Sequence, residues 1–392
     1  MKRLVWTAPL ICTIGLSALP AQRVLTTGRA SEVDMDEAAL QAATQIIEDA
    51  VARDDARGVV VLVARRGKIV LHEAFGWRDV EKQKPMAPDS MFRMASNSKS
   101  ITAAAVMLLV DDGKVGLDDP IHKYFPTFNH GDSAKITVRH LLTHTSGLRI
   151  GTLFLDPLVR KSPEHPDAPN ILLEVARFGE VGAEEPPGSS YSYNNPGYNT
   201  LAGLVEQLTG SYKDFLSKRV YHPLGMTDSF NHEPDADHSR MSVVFRTRSD
   251  EGWRTGWKPG DGPDVPFPRG SGGMISTAYD YAIWCQTLLN GGIYDGKRVL
   301  SADIVAEAVN PQGEAIPAAK AYGLGWAVSE PGGVFSHSGS DGTMAWVDPV
   351  REIIGCVFTQ SPGGPGRAAR ATEFQKLVTA ACTDTIPVRR KD

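Results

Sequence analysis

The chain is poor in cysteine, with four in 392 residues: Cys12, Cys285, Cys356 and Cys382. A disulfide framework is therefore not expected, and a chain this long can bury a core without one. Removal of an N-terminal leader would leave three cysteines, an odd number, with at least one thiol unpaired in the monomer. An excess of positive charge is also missing. Lys and Arg number 41 against 46 Asp and Glu, a net charge of -5, so no nucleic-acid partner is expected. Repeats at solenoid or propeller periods are absent, as is a Gly-x-Ser-x-Gly nucleophile elbow. Arg269-Gly270-Ser271-Gly272-Gly273 lacks the Lys and spacing of a phosphate loop and reads as a tight turn. His140 and His144 have the spacing of a zinc helix, but no Glu follows His140 and no third ligand cluster is evident. Neither a metal nor a cofactor is expected.

Long apolar runs are scarce too. The exception follows Lys2 and Arg3, from Leu4 to Leu19, and Thr and Pro residues interrupt it. It is short for a spanning helix, and Ala21 offers a cleavage point. Residues 1–21 are expected to be a signal peptide, so the protein is expected to be exported, periplasmic or secreted. Membrane association would arise only through that segment if it stayed uncleaved.

Against these absences stands a normal globular composition, 42% hydrophobic and 22% charged. Met35–Ala56 has apolar residues at helical spacing, and Gly58–Ala64 is β-branched and strand-like. Arg65–Lys68 reads as a hairpin turn into a second strand, Ile69–Gly76. Helical patterns dominate from about 90 to 290. Strands are expected at Tyr322–Val328, Gly333–His337, Met344–Val347 and Ile353–Thr359, with a closing helix at Ala368–Cys382. The fold class is thus α/β (α+β): an antiparallel sheet from the N- and C-terminal segments, flanked by helices, plus a mostly helical lobe. A linker at 22–34 would lead into one domain at 35–382, and 383–392 would be a tail. The α/β lobe would take about 35–80 and 290–382, and the helical lobe about 81–289. Gly151–Ser190 is long, Pro-rich and weakly periodic, and reads as a loop, either a lid over the cleft or a plain surface excursion.

Chemistry concentrates at Ser96-Asn97-Ser98-Lys99. The following residues are rich in Ala, Leu and Met, with no Gly or Pro before Gly113. One helical turn therefore separates a hydroxyl from an amine. Serine needs a base to become a nucleophile. Lysine can be that base only when neutral, a state that burial favours. The helix is apolar on nearly every side, as a buried central helix would be. Two further motifs occur once each: Tyr193-Asn194-Asn195 and His337-Ser338-Gly339.

Ser-x-x-Lys, Tyr-x-Asn and His-x-Gly, in that order, resemble the class C β-lactamase branch of the serine β-lactamase and penicillin-binding protein superfamily. D-alanyl-D-alanine carboxypeptidases, D-aminopeptidases and family VIII esterases are its relatives. Gly113–Pro120, Ile136–Leu148, His222–Met226 and Gly272–Thr277 are similar to further signatures of that family, so the likeness runs from about 45 to 380. It implies a β-lactamase/transpeptidase-like fold and an acyl-enzyme on Ser96, with Lys99 and Tyr193 moving the proton. Which of the two is the base stays open. Asn195 would bond a substrate amide or hold Lys99. The resemblance places the oxyanion donors at the backbone N–H groups of Ser96 and Ser340, the latter on the strand after His337-Ser338-Gly339. Gly339 would let the backbone approach substrate closely.

Class C β-lactamases carry Lys at the third motif, where this chain has His337. A mostly neutral His gives a substrate carboxylate less help. The substitution resembles the peptidase and esterase members. The expected activity is a serine hydrolase acting on a small-molecule or peptide ester or amide, with esterase or D-Ala-type carboxypeptidase favoured. The alternatives are a class C β-lactamase or a penicillin-binding sensor that does not turn over.

Overall fold

The computed structural model describes residues 23–149, 161–248, 252–262, 265–362 and 367–385. The expected signal peptide and residues 151–160 of the expected loop lie outside the described residues.

Both ends of the chain build one sheet. Gly58–Arg65 and Lys68–Asp79 form a hairpin through Arg66 and Gly67, whose φ values of 49° and 80° suit a tight two-residue turn. Ile353–Thr359 pairs antiparallel with Gly58–Arg65, and Thr343–Asp348, Phe335–Ser338 and Ala327–Val328 follow outward. The strand expected over Tyr322–Val328 shortens to Ala327–Val328, with Tyr322 bridged to Ala327. The sheet is mixed rather than purely antiparallel, because Thr26–Thr27 pairs parallel with Lys68 and Ile69. That strand covers an edge that would otherwise expose unpaired backbone. Residues 23–34 accordingly differ from a free linker: Leu25, Ala30 and Val33 are buried.

Side chains of Gly58–Arg65 alternate between two apolar layers. Val59, Val61 and Val63 point to the outer face, where Leu40, Ala43 and Ile47 of helix Glu37–Ala52 meet Phe374 and Val378 of helix Arg367–Ala380. Asp36 caps the first of these helices by accepting from the Ala39 N–H at 2.9 Å. Val60, Leu62 and Ala64 face inward, toward helices Ala278–Leu289 and Ser98–Asp111. Ser98 through Leu109 are all buried, so this helix is the central one that its all-round apolar sequence implies. It stops before Gly113, at φ 69°. Cys285 and Cys356 are buried and free.

The middle of the chain departs from expectation twice. Val244–Arg248 and Gly252–Trp257 form a hairpin within the helical region. Ile171–Val181 is a helix, not loop. Its apolar stripe of Ile171, Val175 and Phe178 is interrupted by a buried Glu174, which weakens the helical signal in the sequence. No described helix is long and apolar enough to cross a membrane.

Candidate active site

Ser96 sits in a short 3-10 turn, Ala95–Asn97, that leads into the central helix. Ala95 has φ 44°, a left-handed conformation that costs a non-glycine residue roughly 1–2 kcal/mol. The turn is sewn to the sheet. Asn97 Nδ2 donates to Thr343 Oγ1 at 2.8 Å, and Thr343 Oγ1 donates to the Met94 carbonyl at 3.1 Å. Gly339 is required at this contact: a Cβ there would lie 2.4 Å from the Met94 carbonyl oxygen. Its glycine thus lets the strand approach the serine turn, a different reason from the expected approach to substrate.

Lys99 Nζ lies 2.9 Å from Ser96 Oγ, 3.0 Å from Asn195 Oδ1 and 2.9 Å from the Ser271 carbonyl. Burial lowers its pKa to about 7, assisted by the positive charge of Arg269. The three partners suit both protonation states. An ammonium donates to all three. A neutral amine donates to the two obligate acceptors, Asn195 Oδ1 and Ser271 O, and turns its lone pair to the Ser96 hydroxyl. Of the two, the second state alone has a lone pair able to accept a proton from serine. Asn195 reaches Lys99 because Asn194 caps the helix Asn195–Thr209, accepting from the Gly197 N–H at 2.8 Å.

Tyr193 stands between these groups and His337. Its hydroxyl bonds Ser96, and its ring centre lies 4.7 Å from Lys99 Nζ. Burial pushes its pKa to about 12, with the Ser96 bond pulling the other way. Tyr193 is therefore a protonated phenol at neutral pH, whereas about half of Lys99 is the free amine there, so of the two candidates Lys99 holds the basic form.

His144 supports that phenol from behind. Its ring centre is 4.3 Å from that of Tyr193, and its Nδ1 accepts from the Asn194 N–H at 3.2 Å. Zinc-like spacing in the sequence does not give His140 and His144 a shared helical face. The helix ends at Leu142, and His144 has φ 59°.

His337 is buried on the far side of Tyr193, with ring centres 6.3 Å apart. Its Nδ1–H donates to the Ser338 carbonyl at 3.1 Å, and its Nε2 accepts from the Tyr322 hydroxyl at 3.1 Å. Burial and the Lys99 charge lower its pKa to about 3, so it is neutral at pH 7. Ser340 lies in the turn after Gly339, not on the strand, whose pairing ends at Ser338. Gly339 N–H and Thr343 O close that turn at 2.7 Å. Sequence reasoning thus found Ser96, Lys99, Tyr193, Asn195, His337 and Gly339, which gather here. It missed the supporting His144, Tyr322 and Ser271, which lay in segments read as scaffold, strand and turn.

A cavity of about 430 Å³ opens beside Tyr191, Tyr193, His337 and Gly339 and continues over the outer sheet face to Ile47, Ala50, Met344 and Val357. Asp55 and Arg370 also line it, and they are paired at 2.5 Å. Its walls are mainly apolar.

The family model described as Beta-lactamase matches residues 43–380. Protein Rv1367c of Mycobacterium tuberculosis is 31% identical over 266 residues, 63% of this chain and 66% of that protein. Penicillin-binding protein 4* of Bacillus subtilis is 29% identical over 296 residues, 71% of this chain and 62% of that protein. The chain therefore spans less than two thirds of the length of either relative. Among solved structures, a penicillin-binding protein homologue from Pyrococcus abyssi superposes with a TM-score of 0.68 at 25% identity, covering 88% of this chain and 79% of that one. EstCE1, described as a hydrolase with promiscuous acyltransferase activity, shares the fold, with a TM-score of 0.70 and 22% identity over 87% of this chain and 98% of its own. The D-amino acid amidase of Ochrobactrum anthropi shares it as well, at 0.68 and 24% over 88% and 99%.

Proposed function

The chain belongs to the beta-lactamase family, and from that premise we propose that it is a serine hydrolase working through an acyl-enzyme on Ser96. The observation that carries this reading is the buried, near-neutral Lys99 amine 2.9 Å from the Ser96 hydroxyl. Lys99 takes the serine proton as Oγ bonds to the scissile carbonyl carbon. Collapse of the tetrahedral species breaks the bond to the leaving group, which takes a proton from Tyr193, and Lys99 returns one to Tyr193. Water then repeats the sequence in reverse and frees Ser96. Backbone N–H groups of Ser96 and Ser340 are the proposed oxyanion donors.

Two features favour neutral, apolar esters over β-lactams and D-Ala-D-Ala peptides, which carry a carboxylate. His337 is neutral and buried, so it offers no cation. The adjoining cavity is apolar, and Arg370 in its wall is paired with Asp55. Ser96→Ala should abolish labelling by a fluorophosphonate probe, and full labelling of that variant would overturn the assignment. A short-chain p-nitrophenyl ester should be turned over faster than a D-Ala-D-Ala peptide or a chromogenic cephalosporin. The likeness to a penicillin-binding protein supports a second reading, a binder that acylates once. A burst without steady turnover on all three substrates would favour it. Export, proposed from residues 1–21, would place the substrate outside the cytoplasm.

A further inference from the structure

Glu174 is buried on helix Ile171–Val181, away from the sheet, in a stretch expected to be loop. Its Oε2 accepts from Asn199 Nδ2 at 3.0 Å. Asn199 is itself buried on the helix that begins at Asn195, and its Oδ1 accepts from the Ser271 N–H at 3.1 Å. The carbonyl of that same Ser271 receives Lys99 Nζ at 2.9 Å. An unbroken path of three hydrogen bonds therefore links a buried carboxylate to the amine beside Ser96. The amide of Asn199 has one consistent orientation here, donor to the carboxylate and acceptor from the N–H.

The loop in the middle of the path is held from other sides as well. Thr102 Oγ1 donates to the Gly270 carbonyl at 2.7 Å, and Ser98 Oγ accepts from the Met274 N–H at 2.9 Å. At Gly270 a Cβ would lie 2.2 Å from the Tyr198 carbonyl oxygen, so the glycine permits this close seating. These contacts fix both ends of the loop, and Asn199 fixes Ser271 between them.

We propose that Glu174 is a positioning residue for the Ser96–Lys99 pair, acting through Asn199 to hold the Ser271 carbonyl on Lys99 Nζ. This rests on the serine-hydrolase reading above. A buried carboxylate is expensive to keep, and burial pushes Glu174 up to about 7, opposed by Arg269 and by the Asn199 bond. The groups around Lys99 are Arg269, His144, His337, Tyr193 and Tyr198. Asn199 holds the Ser271 N–H, and so the seat of the Ser271 carbonyl, by a direct hydrogen bond. The lone pair of Lys99 can face the serine hydroxyl only while its two N–H groups are engaged by Asn195 and Ser271. A misplaced Ser271 carbonyl would turn that lone pair away, and a shift of about 1 Å in such a group costs up to about a hundredfold in rate. Were Glu174 only a bond between two helices, its loss would lower the melting temperature and leave the acylation rate of folded protein unchanged.

A polarity swap tests this in the full chain at pH 8. Asn199→Asp keeps the acceptor for the Ser271 N–H and sets one carboxylate against another at Glu174. Fluorophosphonate labelling of Ser96 should slow by about tenfold or more. Adding Glu174→Gln returns a donor–acceptor pair with its polarity reversed and restores the original net charge. The double variant should label within about threefold of wild type, with KM for a p-nitrophenyl ester little changed in both and the loss confined to kcat. Wild-type labelling by folded Asn199→Asp overturns the proposal, and so does a folded double variant that stays slower than threefold. If the single variant does not fold, the double variant alone decides by the same threshold. Melting temperatures establish folding in each case. Failure of wild-type protein to label at all strikes the serine-hydrolase reading instead.

Discussion

On the outer face of the central sheet, Val59, Val61 and Val63 meet Ile47, Phe374 and Val378. On the inner side, the turn and helix from Asn97 to Thr102 bury Asn97, Ser98, Lys99, Ser100 and Thr102, and each of these has a hydrogen-bond partner. Both faces flank the same strands and both bury apolar side chains, but the inner side adds this polar seam. Apolar burial contributes roughly 25 cal/mol per Å² whatever the direction of contact, so the outer face tolerates small shifts. Hydrogen bonds in the seam are directional, and a buried group that loses its partner costs about 1–3 kcal/mol. The outer layer stabilises the sheet. The polar seam adds less net stability and instead fixes where Ser96 and Lys99 stand.

Lys99→Met should separate the two roles most sharply. Met fills the volume of the Lys stem without an amine, and acylation of Ser96 should fall by at least about a thousandfold. Stability should move the other way. Lys99 has a folded pKa of about 7 against an ordinary value of 10.5. Between those pH values the unfolded chain holds a proton that the folded chain does not, so wild-type stability rises with pH, by up to about 1.4 kcal/mol per unit. In the Lys99→Met variant that slope should vanish, with stability at pH 7 equal or higher. Urea midpoints at pH 7 and pH 9 measure it, and an unchanged slope would mean that Lys99 is not the desolvated group. For the wild type, labelling should rise with pH through about 7 as the amine becomes neutral.

Phe374→Ala probes the other face. Phe374 is fully buried, edge-on to Trp346 with ring centres 6.2 Å apart. Its truncation should cost about 3–5 kcal/mol. Labelling per folded molecule should remain that of the wild type. A loss greater than the fall in folded fraction would show that the two faces are coupled.

The same contrast explains what could be read in the sequence. The β-branched apolar run in Gly58–Arg65 and the apolar spacing in Glu37–Ala52 follow from burial alone, so both elements were legible with boundaries close to the observed ones. Ser96 and Lys99 were legible because one helical turn fixes their separation. Glu174, Ser271, His144 and Tyr322 were not, because their neighbours come from distant segments. A buried Glu also breaks the apolar periodicity that would mark its helix, and Ser271 acts through its backbone carbonyl. Thr26–Thr27 is too short to carry a pattern at all. The reason for Gly339 likewise lay outside the local sequence, since the atom that a Cβ would strike belongs to Met94.

The finest test of the seam is Tyr322→Phe. The ring of Tyr322 packs on His144 with centres 4.9 Å apart, and Phe keeps that contact. What it loses is the hydroxyl that donates to His337 Nε2 at 3.1 Å and also bonds the Tyr198 hydroxyl, leaving a buried acceptor without a partner. The cost to stability should be about 1–3 kcal/mol. His337 would keep its bond from Nδ1–H to the Ser338 carbonyl, so the ring should tilt without leaving its place. Because His337 lies one ring beyond Tyr193, the effect on chemistry should be indirect, a fall of about two- to fivefold in kcat/KM for a p-nitrophenyl ester. A fall as large as that of Lys99→Met would mean that His337 takes part in proton transfer itself. No fall at all, with the stability loss present, would confine Tyr322 to packing and shrink the functional part of the seam to Ser96, Lys99, Tyr193 and their immediate partners.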